Sequence, residues 1–351
     1  MFTKPTYQNT MKKLLSILAL VFLVQFSFGQ INARLMRYAD VSDRQIAFVY
    51  GGDIWIMPKA GGTALQITRS PGEESWPKFS PDGQFIAYSA SYHGNQDVYV
   101  MPVTGGVPTR VTYNSFDDRL VDWHPDGEQL LIASKRESGR QSYSQFYLVG
   151  RHGGMPEKLS IPYGELASYS PDGLSLAYIT KITENYPFKR YRGGLTSDIL
   201  LHDFESKQTE NITQSLAIEG KPAWVGEKLF FLSDRGQQMR LNVWEYDPVN
   251  KQSIQVTFLE DFDISSLSAS QGELVFEAGG RLYLMDAESK SYDAVDVQVV
   301  SDLSLEMPRR VDVSEDIRNM TASPEGKRIV FEARGELFNV PVKEGYMLNL
   351  T

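Results

Sequence analysis

A chain of 351 residues, 42% hydrophobic and 12% aromatic, has ample material for a packed interior and is not a disordered protein. Its formal charge of -9 argues against a nucleic-acid partner, because an acidic surface repels phosphate. It contains no cysteine, which excludes disulfides, thiolate metal sites, a cysteine nucleophile and a lipid-bearing N-terminal cysteine.

Residues 1–29 read as an export signal. Lys12 and Lys13 open it, residues 14–24 (LLSILALVFLV) form an apolar run too short to span a bilayer, and Ser27-Phe28-Gly29 places small residues at a cleavage point. The mature chain is therefore expected to be exported, to the periplasm first of all, and to carry no membrane anchor.

After the signal the sequence repeats. FSPDGQFIAYSA at residues 79–90 returns as WHPDGEQLLIAS at 123–134, as YSPDGLSLAYIT at 169–180 and more weakly as ASPEGKRIVFEA at 322–333. Proline fixes φ at the second position of a tight turn, aspartate bonds its own backbone, and glycine takes the left-handed conformation; the chain reverses into a strand that alternates Phe85, Ala87 and Ser89 with Ile86 and Tyr88. A second element follows each hairpin, as in DIWIMPKAGGTALQIT (residues 53–68), DVYVMPVTGGVPTRVT (97–112), DILLHDFESKQTENIT (198–213) and NVWEYDPVNKQSIQVT (242–257): a β-rich run, a polar or glycine turn and a short strand closing on Thr. Four short strands in every 40 to 50 residues or so is the pattern of an all-β propeller blade. A solenoid repeats at shorter intervals, and a sandwich does not repeat its turn.

Between the hairpin of the fourth unit and its next strand lies a longer loop, KITENYPFKRYRGGLTS, at residues 181–197. Its cations Lys189, Arg190 and Arg192, interleaved with Tyr191 and other aromatics, suit it to grip a carboxylate or a peptide; an exposed loop, or a plug packed against a neighbouring domain, accounts for it equally well. Residues 297–316 carry no hairpin signal and read as a linker after the sixth unit, with a further unit beyond them.

No local catalytic motif is present: there is no Gly-x-Ser-x-Gly elbow, no His-Glu-x-x-His, no phosphate loop and no dinucleotide fingerprint. His93, His124, His152 and His202 share no ligand or relay spacing, so solvated or turn-stabilising roles are expected. The acids at Glu73-Glu74, Asp117-Asp118 and Asp261-x-Asp263 lack the glycine and further carboxylates of a calcium loop and are read as solvated loops between blades. Trp55, Trp76, Trp123, Trp224 and Trp244 are read as packing between blades. No cofactor and no metal site is expected.

Taken together, GGDIWIMPKAGG, SPDGQFIAYSA, KRYRGG, VGEKLFFLSDR and EARGELFNVPVKEG make the chain from residue 31 onward resemble the N-terminal region of tricorn protease homologues, the KRYRGG loop most specifically. The resemblance implies a six-bladed β-propeller of four-stranded antiparallel blades over residues 30–305. Residues 306–351 then supply a linker and the first blade of a second, seven-bladed propeller. It also implies a serine peptidase that degrades oligopeptides, with its catalytic residues and a PDZ domain downstream of these positions, and a propeller that filters or channels peptides. Relatives anchor the substrate's C-terminal carboxylate with a basic pair, and here only Arg119 stands in the corresponding loop, NSFDDRLVDW. The candidate channel or interdomain residues are thus Arg119, Lys189, Arg190, Tyr191 and Arg192, with no catalytic residue in this chain. Oligopeptides, the downstream domains and further copies of the chain are the expected partners. Two other readings remain at this level: a periplasmic protein-binding propeller without activity, and the propeller of a prolyl-oligopeptidase-like enzyme.

Overall fold

The computed structural model describes residues 31–139, 143–182, 189–300 and 311–351, so the export signal lies outside the described residues. All regular elements among them are β-strands, and the chain divides into two compact units, one ending at Ser301 and the other beginning at Asp302.

In the first unit, consecutive strands assemble four at a time into six antiparallel sheets. Sheet 1 runs from Arg37–Val41 to Gly62–Gln66, sheet 2 from Glu74–Phe79 to Thr109–Arg110, and sheet 3 from Asp118–Trp123 to Glu157–Lys158. Sheet 4 runs from Leu166–Tyr169 to Thr209–Asn211, sheet 5 from Glu219–Val225 to Gln252–Gln255, and sheet 6 from Ile264–Ser270 to Tyr292–Ala294. The first strand of each sheet touches the first strand of the next, and that of sheet 6 touches that of sheet 1, so the sheets close a ring. The second unit is one antiparallel sheet, from Ile317–Ala322 to Leu348–Asn349.

The repeated turns form as their chemistry dictates. Ser80 Oγ donates to Asp82 Oδ1 (2.6 Å) and accepts from the Phe85 amide (2.9 Å), while Gly83 has φ 66°. Ser170, Asp172 and Gly173 reproduce this in sheet 4. In sheet 3, His124 replaces the serine and takes the Asp126 amide on Nδ1 (3.3 Å). The second strands do not alternate, however. In Phe85–Ala90 every residue after Phe85 is buried, because the strand is covered on both faces by neighbouring sheets.

The threonine that closes the units has a definite task. Thr68, Thr112, Thr213 and Thr257 each accept, through Oγ1, the amide of a residue in the third-strand segment: Ile54, Val98, Ile199 and Val243, at 2.7, 3.0, 3.0 and 2.9 Å. Thr257 is fully buried and also donates to Asn242 Oδ1 (2.9 Å). Replacing it by valine strands the Val243 amide and leaves Asn242 Oδ1 with the Leu259 amide alone, and a loss of about 2 kcal/mol is expected in urea unfolding; an unchanged midpoint would show that the hydroxyl contributes nothing.

Two features escaped the sequence. The first strands of sheets 1, 2, 3, 5 and 6 each carry a register shift, and Tyr38, Trp76 and Lys221 sit there at φ 56°, 55° and 51°. Such bulges turn side chains out of the alternating pattern. Secondly, part of the expected linker is a strand: Val297–Val299 runs parallel to Gly62–Gln66 on the outer edge of sheet 1, and Ile31–Asn32 pairs antiparallel to it. A run this short, Val-Gln-Val, has no hairpin to announce it, and only the free edge of sheet 1 makes it a strand.

Candidate functional site

The six first strands surround the axis of the ring, and the space between them varies along it. Near the repeated turns it opens into a cavity of about 670 Å³ lined by Asp40, Lys78, Asp122, Ser168, Tyr169 and Ser268 among others. Lys78 Nζ donates to Asp40 Oδ1 (3.1 Å) and to Ser268 Oγ (2.6 Å), and Ser268 donates in turn to Asp40. Burial works against the charge of Lys78, yet Asp40 and Asp122 outweigh it and raise its pKa. Burial also pushes Asp122 up to about 6, against the pull of Lys78. The mouth is polar and its charges are locked to one another.

Further along, the axial space between Tyr38, Trp76, Val121, Leu166, Lys221 and Leu267 among others holds a cavity of only about 40 Å³. The bulges bring Trp76 against Tyr38 (ring centroids 4.3 Å apart), with Lys221 Nζ 4.8 Å and Arg119 Cζ 5.3 Å from the indole. Sheets 1, 2, 3 and 5 thus each contribute one residue to a plug. The reading of Trp76 as blade packing missed this, since an alternating strand would have turned the indole elsewhere.

Arg119 also donates to the Glu165 backbone oxygen (2.7 Å) and carboxylate (2.8 Å), which ties sheet 3 to sheet 4 beside the plug. The other candidates stand together at the end of the ring opposite the repeated turns. The loop leaves sheet 4 after Ser175–Ile179 and rejoins it at Leu200–Asp203, and its residues 183–188 lie outside the described residues. Lys189 Nζ and Arg190 both reach Asp263, at 3.1 and 3.3 Å, and Arg190 donates to the Met239 carbonyl (2.8 Å). Arg192 pairs with Asp234 (2.9 Å). Tyr191 is exposed, with its hydroxyl beside Gly193. The three cations therefore fasten the loop over sheets 5 and 6.

The acidic pairs are not solvated loops throughout. Glu74 and Asp118 are buried, and so is their counterpart Glu219, because the first residue of a first strand lies where two sheets meet. Asp118 and Glu219 take Arg136 (2.6 Å) and Arg235 (2.7 Å); sheet 2 has Tyr92 in that place, whose hydroxyl donates to Glu74 (2.5 Å). Burial raises Glu74 and Glu219 to about 7 each. His202 is likewise buried rather than solvated: Nδ1 stands 2.9 Å from Thr209 Oγ1, the ring packs edge-on to Phe204, and burial lowers its pKa. Among the described residues no group of three or more His, Asp or Glu is placed to hold a metal ion.

Comparison with known proteins identifies this architecture. The family described as the tricorn protease N-terminal beta propeller domain matches residues 33–291. A tricorn protease homolog of Saccharolobus solfataricus is 27% identical over 307 residues, covering 86% of this chain and 28% of that protein. A tricorn-like protease N-terminal subunit of Sulfurisphaera tokodaii is 28% identical over 167 residues, 47% of this chain and 84% of that one. The crystal structure of the tricorn protease superposes with a TM-score of 0.74 at 21% identity, over 91% of this chain and 31% of that chain. TolB from Acinetobacter baumannii shares the fold at a TM-score of 0.54 and 15% identity, over 79% of this chain and 69% of that one. This chain thus spans under a third of the Saccharolobus protein and of the tricorn protease chain. With the match covering most of its length, the chain belongs to the tricorn protease N-terminal β-propeller domain family.

Proposed function

We propose that this chain is the non-catalytic N-terminal propeller of an exported, serine-type, tricorn-like peptidase, and that it filters or channels oligopeptides on their way to or from catalytic and PDZ domains downstream. The family match over residues 33–291 carries this reading. The axial space supports it: a wide polar mouth leads to a small cavity of about 40 Å³, little more than the volume of one water molecule, among side chains from all six first strands. A filter needs such a narrowing, and Trp76 forms it. The apolar run of residues 14–24 supports export, and assembly with further copies of the chain belongs to the same proposal.

Hydrolysis of fluorogenic peptides by the 351-residue chain and by the full-length gene product tests this reading. The chain by itself is expected to be inactive. In the full-length protein Trp76→Ala, which removes the plug but leaves its neighbours, is expected to raise turnover of long peptides about threefold or more while tripeptide turnover stays unchanged. Equal effects on both substrates, or none, would remove the filter; a full-length protein without peptidase activity would remove the enzyme and favour a protein-binding propeller.

A further inference from the structure

A second cavity, of about 300 Å³, lies under the loop that carries Lys189 and Arg190, and of the axial plug only Lys221 also lines it. Its walls are Ile179 and Ile182 from sheet 4, Ile218, Leu232 and Leu241 from around sheet 5, and Ile264 from sheet 6. This is a concave apolar space at the meeting of three sheets, of a size that holds a small organic molecule.

Its rim is charged, and unevenly so. Three acids line it: Glu219, Asp234 and Asp263. Glu219 is paired with Arg235 and Asp234 with Arg192, neither of which lines the cavity. Asp263 is left facing Lys189 at 3.1 Å, Arg190 at 3.3 Å and Arg240 at 3.9 Å. Of these, Lys189 and Arg190 line the cavity and Arg240 does not, so one carboxylate between two lining cations leaves the rim positive, in a chain whose formal charge is -9. Lys189 has 76% of its side chain exposed, so it can swing to a second anion without leaving a buried charge behind. The other acids of that loop, Glu260 and Asp261, are exposed and do not line the cavity.

We propose that this cavity binds a monocarboxylate with an apolar body. The body replaces water against the isoleucine and leucine walls, and the carboxylate shares Lys189 and Arg190 with Asp263 at the rim. The assignment concerns a different space from the filter proposed above, sharing only Lys221 with it, and needs no catalytic domain.

Titration calorimetry of the 351-residue chain with octanoate, with N-acetylleucine and with octanol tests it. Octanoate represents a lipid-derived acid, N-acetylleucine a peptide's C-terminal residue, and octanol the same apolar body without charge. At least one acid is expected to bind saturably and about tenfold or more tighter than octanol, since a charge-assisted hydrogen bond is lost with the alcohol. The acid that binds tighter names the source. The double variant Lys189→Gln/Arg190→Gln, checked for an unchanged melting curve, is expected to abolish the preference, whereas Lys251→Gln, whose exposed pair with Glu210 lies elsewhere, is expected to retain it. No saturable binding by either acid, equal affinity for octanol, or an undiminished preference in the double variant overturns the assignment.

Discussion

Val299→Asp is expected to lower the stability of the first unit by about 4 kcal/mol, close to the largest effect a single substitution produces, while Val300→Asp beside it changes stability by less than about 0.5 kcal/mol. Val299 is fully buried and Val300 is 53% exposed, so the pair separates burial from strand composition. Val299 lies opposite Ala64 in the parallel pairing with sheet 1 and packs in a cluster that joins sheet 1 to Val275 and Leu282 of sheet 6. A carboxylate at this fully buried position is taken out of water among apolar side chains. The chain returning from sheet 6 would lose its hold on the edge of sheet 1, where the Gly62 amide also donates to the Asp296 carbonyl (2.9 Å) and the Ala33 amide to that of Val297 (2.8 Å). Urea midpoints of the two variants check this, and equal midpoints would show that the outer strand does not secure the ring.

The second large effect is on pH dependence. Glu74 has a folded-state pKa of about 7 against an ordinary value of 4.5, because burial disfavours its charge more than Tyr92 and Thr68 favour it. A carboxyl whose pKa is raised on folding binds its proton more tightly in the folded state, so its contribution is greatest below about pH 4.5 and is lost as pH rises through about 7. At about 1.4 kcal/mol per unit, this one group sets a ceiling of about 3.5 kcal/mol on the decline. Glu219, raised to about 7 as well, acts in the same direction over the same interval, and Asp122, raised from 3.8 to about 6, in the same direction about one pH unit lower. The melting temperature is therefore expected to fall between pH 5 and pH 8, and Glu74→Gln to flatten part of that fall while keeping a side chain that accepts from Tyr92. A wild-type profile level over this range, or a slope untouched by Glu74→Gln, would show that the carboxyl is not raised by burial.

Much of the first unit was legible because its signals are local. The Ser-Pro-Asp-Gly turns fold on bonds within six residues, as at Ser80, Asp82 and Phe85, so their appearance in the sequence already specified a hairpin in each place. The closing threonines were visible as a pattern, although their hydroxyl bond to an amide fourteen residues away was not. The loop of Lys189, Arg190 and Arg192 was correctly set between the second and third strands of the fourth unit, but its partners Asp234 and Asp263 come from sheets that meet only in the ring. Glu74 and Asp118 looked like loop acids because a charge beside a polar turn is ordinarily solvated; their burial arises from two sheets closing over them.

By itself the sequence determined the repeat, the turn chemistry, the all-β class and the family resemblance, since each depends on residues close together in the chain. Only the tertiary structure decided where the ring is fastened, which side chains meet on its axis and which charges are buried. Val297–Val299 becomes a strand because sheet 1 offers an open edge, and Trp76 becomes a plug because a bulge turns it toward Tyr38, Arg119 and Lys221. Both outcomes come from contacts between residues dozens to hundreds of positions apart.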